Sequence, residues 1–210
     1  PWTIAMLLRN PEMMLLDTFE DPQFIHDLMR ISTDFCKIWG DAIVKTRIGL
    51  SFSEPTASIS LISPDNYREF IAPYHKELVD YFKAKKVGVT THICGVTYPI
   101  FEDLIGCGFT TVSFDLDQQS DPALHVDQLE RFMQVAKGRA VAIGNVDATM
   151  FEKATQPQIE AEVRRCIDTA ARHSGFILST SCEIPPRSNP EIVKWFMDAA
   201  HDYGRYERIF

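Results

Sequence analysis

What most constrains this chain is a rhythm. Stretches with helical periodicity alternate with short β-branched runs along most of its length. The segment 21–39, DPQFIHDLMRISTDFCKIW, opens with Asp21 as an N-cap and Pro22 at the first helical position. Its apolar residues Phe24, Ile25, Leu28, Ile31, Phe35 and Ile38 recur at three- and four-residue steps, which predicts one buried face. IGLSF (48–52) reads as a short strand. A long helix follows over 63–86, capped by Ser63, and Pro73 inside it should kink or split it. VGVTTHI (87–93) is a strand, and 98–108 a short helix closed by Gly106 and Gly108. The pattern then gives a strand at 110–115, a helix within 122–138, a strand at 140–146 and a helix at 156–172. It ends with a strand at 175–182 and a helix at 189–204, with Asn189 as cap and Pro190 behind it.

Strands that alternate with helices call for a parallel sheet with helices outside it. No linker, low-complexity tract or charge run divides the sequence, so 1–210 reads as a single domain. Both a (β/α) barrel and an open doubly wound sheet fit the rhythm. No G-x-G-x-x-G follows any of the strands, which weakens the dinucleotide-binding version.

Charge and composition narrow the class of partner. The net charge is −8 and no Lys/Arg block stands out, so neither nucleic acid nor an anionic membrane surface is an expected partner. No apolar run approaches the ~18 residues of a membrane span. The opening stretch PWTIAMLLRNPEMMLLD lacks the basic leader and small-residue cleavage site of a secretory signal, and it begins without Met. Five cysteines at irregular spacing do not make a disulfide framework, so a reducing cytoplasm is the expected location. Cys36, Cys107 and Cys166 read as small buried hydrophobes.

Polar residues cluster where strands end: Glu54, His92 and Cys94, Asp115, Asn145 and Asp147, Cys182 and Glu183. In a barrel, the carboxyl ends of all strands open on one face, and that face carries the chemistry. His92 and Cys94 are two apart, so both side chains leave the same side of a strand. An imidazole and a thiolate are zinc ligands, and a catalytic zinc usually has three protein ligands with one position open. Cys182, at the end of the last strand, is the natural third. On spacing alone, His92 reads equally well as a hydrogen-bonded core histidine and Cys94 as a buried hydrophobe.

Longer stretches carry a resemblance. SEPTASISLISPDNYREFIAPYHKELV, THICG, VSFD, IGNVD and FILSTSCEIPP occur in that order, followed by NPEIVKWFMDAAHDYGRY. Together they resemble the uroporphyrinogen decarboxylase superfamily, and within it the zinc-dependent methylcobamide:coenzyme M methyltransferase branch. The likeness runs from PWTIA to YGRY, and its specific part is His-x-Cys with SCE-PP. It implies a TIM-type (β/α)8 barrel with zinc at the carboxyl-terminal mouth, held by His92, Cys94 and Cys182. It implies a methylated corrinoid (methylcobalamin-like), carried by a corrinoid protein, as methyl donor. A small-molecule thiol, or a folate, would be the acceptor. Glu54 falls where the family has an acidic residue before proline, and is expected as a catalytic carboxylate or fourth ligand. Asp115 matches a mouth-lining catalytic position, and Asn145 and Asp147 match cofactor- and substrate-positioning ones.

An eight-stranded barrel takes ~250 residues. The expectation is therefore a partial barrel holding the C-terminal five to six strand–helix units, with the N-terminal units missing. The alternative within the superfamily is a metal-free decarboxylase of the uroporphyrinogen type. It would need cations to hold substrate carboxylates, and Arg47, Arg68 and Arg187 are its candidates.

Overall fold

The computed structural model of the chain describes residues 1–117, 125–173 and 175–209. Five strands form one parallel sheet in sequence order: β1 (Leu50–Ser53), β2 (Val89–Ile93), β3 (Thr111–Phe114), β4 (Val141–Val146) and β5 (Phe176–Thr180). Helices connect them, as parallel strands require. The chain divides into two compact units, Pro1–Val112 and Ser113–Phe210.

The first unit opens with helices α1 (Trp2–Arg9), α2 (Pro11–Glu20) and α3 (Pro22–Val44). Asp21 caps α3 as its sequence demands, its side chain accepting from the Phe24 amide at 3.0 Å. The expected buried face of α3 holds at Ile25 but fails toward the end of the helix. Ile31, Phe35 and Ile38 are all more than half exposed, while Ile25, Met29, Ser32, Thr33, Cys36 and Gly40 are buried. The cause is close approach. A Cβ on Gly40 would stand 2.3 Å from Cζ of Phe82, so this face must be small to seat against the buried ring.

The helix expected over 63–86 is split, as Pro73 requires. It begins as α4 (Pro64–Asn66), widens into a π turn at Tyr67–Ile71, and continues as α5 (Ala72–Lys83). Across that turn the Tyr67 hydroxyl meets Nδ1 of buried His75 at 3.0 Å. β1 and β2 pair from Leu50↔Val89 to Ser53↔His92. A 3-10 turn at Tyr98–Ile100 leads into α6 (Phe101–Cys107), which ends on left-handed Gly108.

In the second unit, α7 (Gln128–Ala136) starts at Asp127, whose carboxylate accepts from the Leu129 and Glu130 amides. The opening part of the helix expected within 122–138 lies outside the described residues. α8 (Met150–Lys153) and α9 (Gln156–Ala170) follow β4, and a capping box of Thr155 and Gln158 starts α9. β4 and β5 pair from Ala142↔Phe176 to Val146↔Thr180. After β5 comes α10 (Pro190–Tyr203), capped by Asn189 as expected, and then α11 (Tyr206–Ile209). Arg165 on α9 ties this unit together through Asp127 at 2.7 Å and Glu162 at 2.7 Å. No helix among the described residues is long and apolar enough to cross a membrane.

Candidate metal centre

Each functional position lies at or just past the carboxyl end of a strand. At the end of β1, the Glu54 amide donates to the His92 carbonyl at 2.7 Å, extending the ladder past Ser53↔His92. That bond fixes the last turn of β2, from which the His92 ring projects. Nε2 of His92 lies 3.3 Å from Sγ of Cys94. Both side chains are half-buried, so they are held by the protein yet open to a ligand. Beyond β5, the amide of Ser181 donates to the Val146 carbonyl at 2.7 Å. The Thr180 hydroxyl donates to the Cys182 carbonyl at 2.6 Å, which sets the turn that carries the half-buried Cys182 thiol.

Among the described residues, His92, Cys94 and Cys182 form a group whose ligand atoms, one from each, all lie within 4.8 Å of one another. The donor set fits zinc. Tetrahedral zinc with Zn–S of ~2.3 Å and Zn–N of ~2.0 Å places neighbouring ligand atoms roughly 3.5–3.8 Å apart. The His92–Cys94 separation is already close to this.

Glu54 takes a different place from the one expected of a catalytic carboxylate. It is 1 % exposed, and its oxygens accept from the Trp2 amide at 3.1 Å and the Thr3 amide at 2.7 Å. It thus caps the amino end of α1. Nε2 of His75 stands 3.6 Å from the same carboxylate and has no hydrogen-bond partner among the described residues. Burial pushes the His75 pKa down, against the pull of Glu54. Nothing in the sequence signals this arrangement, because α1 and Glu54 lie about fifty residues apart.

Asp115 is half-buried just past β3, and its carboxylate accepts from the Leu116 amide at 2.8 Å. Asn145 is fully buried in β4, and its Nδ2 donates to the Phe114 carbonyl at 2.9 Å. Its Oδ1 has no partner among the described residues. Asp147 closes its own turn, accepting from the amide and hydroxyl of Thr149, both at 2.8 Å. Arg68, one of the cations a decarboxylase would need, is held in ion pairs by Asp65 and Asp103.

Comparison with known proteins decides the family. The uroporphyrinogen decarboxylase (URO-D) family model matches residues 1–203. The chain belongs to the uroporphyrinogen decarboxylase family. Within that family it is 31% identical over 213 residues to a methylated-thiol–coenzyme M methyltransferase of Methanosarcina mazei, covering 100% of this chain and 53% of the relative. It is 25% identical over 205 residues to the methylcobamide:CoM methyltransferase MtbA of Methanosarcina acetivorans, covering 97% of this chain and 56% of that protein. A solved methyltransferase structure from Methanosarcina mazei shares the fold, with a TM-score of 0.83 at 22% identity over 98% of this chain and 57% of that one. The chain therefore spans about half the length of the curated relatives it matches. The parallel five-stranded sheet with its helices agrees with the α/β barrel fold expected of this family member.

Proposed function

We propose that this chain is part of a zinc-dependent methyltransferase. It would move a methyl group from a methylated corrinoid, carried on a partner protein, to a small-molecule thiol. The observation that carries this reading is the juxtaposition of one imidazole nitrogen and two cysteine sulfurs within 4.8 Å. The names of the relatives support the donor and acceptor, since they are methylcobamide:CoM and methylated-thiol–coenzyme M methyltransferases.

His92, Cys94 and Cys182 are the residues that would hold the ion. Zinc bound there would supply Lewis acidity that lowers the pKa of an incoming thiol, so that it reacts as thiolate near neutral pH. Three protein donors leave one tetrahedral position for that thiol. Two thiolates balance the divalent charge, so the protein contributes a site with no net attraction for stray anions. The half-burial of His92, Cys94 and Cys182 leaves the donors accessible from outside. The corrinoid would supply the methyl group, and Asp115, Asn145 and Asp147 are proposed to position the reactants.

The test is zinc quantification on purified protein, with Cys94→Ser and Cys182→Ser beside it, followed by methyl transfer from methylcobalamin to a panel of thiols. One zinc per chain in the wild type, lost in both variants with the fold retained, is the expected result. Stoichiometric zinc in both variants sinks the ligand assignment. A protein without metal that decarboxylates a porphyrinogen would instead favour the other branch of the family.

A further inference from the structure

The residue after Cys94 is Gly95, with φ of +67°, in the left-handed region that side chains rarely adopt. Space is closed there too. A Cβ on Gly95 would lie 2.8 Å from the Ser60 hydroxyl and 2.9 Å from the Ser58 hydroxyl. The two serines belong to the loop after β1 and grip the next peptide. The Val96 amide donates to Oγ of Ser60 at 3.1 Å, and Oγ of Ser58 donates to the Val96 carbonyl at 3.3 Å. The Ser60 amide donates to Oγ of Ser58 at 3.2 Å, linking the two hydroxyls' supports. The Ile59 amide also donates to the Val96 carbonyl at 2.9 Å. Both polar groups of Val96 are therefore held from one short loop, and Ser58 itself is 3 % exposed.

We propose that Ser58 and Ser60 are positioning residues for Cys94. This rests on the metal-site reading above and deepens it. Cys94 lies one residue past the end of β2. The turn at Gly95 bears on the direction of its sulfur, and the clamp on Val96 supports that turn. Removing the two hydroxyls leaves the Ile59 bond but loosens the hold on Val96, so the Cys94–Gly95 torsions can shift and carry Sγ away from the 3.3 Å approach to His92. Supports of this kind are worth roughly 10–100-fold in metal affinity.

The test uses the full chain and zinc alone. Zinc affinity is measured by competition with a chromogenic chelator for wild type, Ser58→Ala/Ser60→Ala, Ser60→Ala and Ser60→Thr. Hydrogen exchange of the Val96 amide in the metal-free protein reports the clamp without reference to zinc. The double variant should bind zinc about 10–100-fold more weakly and exchange Val96 faster, with Ser60→Thr close to wild type on both counts. Ser60→Ala, at an exposed position, carries the test if the double variant does not fold. Faster exchange with zinc affinity unchanged overturns the positioning role and leaves the metal site standing. So does a loss of affinity that Ser60→Thr shares in full. A wild-type chain that takes up no zinc overturns the metal reading itself, and this inference with it.

Discussion

Nε2 of His92 lies 3.3 Å from Sγ of Cys94, although Ile93 stands between them in the chain. The two-residue repeat of a strand brings them to one side, and the ladder bond from Glu54 holds the carbonyl beneath the ring. A pair so placed needs little reorganisation to take up a metal ion.

Metal uptake by such a set releases protons, because a thiol must become a thiolate to bind. Zinc affinity is expected to fall with pH. With two cysteine ligands, the fall reaches about tenfold per proton released for each pH unit on the acid side. Titrating zinc between pH 8 and pH 6 in a chelator assay checks this. A pH-independent affinity would contradict thiolate ligation.

The five cysteines should separate into two reactive classes. Cys36, Cys107 and Cys166 are buried, and burial pushes the thiols of Cys107 and Cys166 up to about 11 and that of Cys36 upward too. Cys94 and Cys182 are half-buried. Brief alkylation of the folded, metal-free chain should label Cys94 and Cys182 first, and added zinc should protect both. Peptide mass spectrometry reads the outcome.

Glu54→Gln separates a capping role from a catalytic one. The substitution keeps the shape but removes the charge that two α1 amides face. A loss of about 2–4 kcal/mol in urea unfolding is expected, with zinc affinity unchanged. Loss of zinc with stability intact would return Glu54 to the metal site.

Gly40→Ala sets two known tendencies against each other. Alanine is the better helix former by about 1 kcal/mol, yet its methyl would stand 2.3 Å from the buried Phe82 ring. Overpacking costs about 1–3 kcal/mol and should win. Denaturant unfolding is expected to show the variant less stable than wild type. A more stable variant would mean that α3 can lift from α5 at no cost.

The sequence was most legible where local chemistry decides. Asp21, Ser63 and Asn189 all cap the helices they begin, and the β-branched run ending at His92 is a strand. Pro73 marked the interrupted helix, though not its π form. Legibility failed where the partner is distant. Beyond Ile25 and Met29, the buried face of α3 is built from Ser32, Thr33, Cys36 and Gly40, a set that hydrophobic periodicity does not pick out. The real apolar stripe, Ile31, Phe35 and Ile38, faces outward. At the site, His92, Cys94 and Cys182 stood out because their chemistry is unusual at strand ends. Ser58 and Ser60 did not, because serine in a loop is common and only coordinates show what it grips.

The widened turn at Tyr67–Ile71 acts as a one-residue insertion in an otherwise regular helix. Eight positions along an ideal α-helix leave two side chains about 80° apart in azimuth. One extra residue in the turn cancels most of that offset, bringing Tyr67 and His75 nearly into line, and their 3.0 Å bond is the result. Deleting a single residue from this turn would leave the phenol and the imidazole seven regular positions apart, about 20° from alignment, so their bond should survive in a plain α-helix.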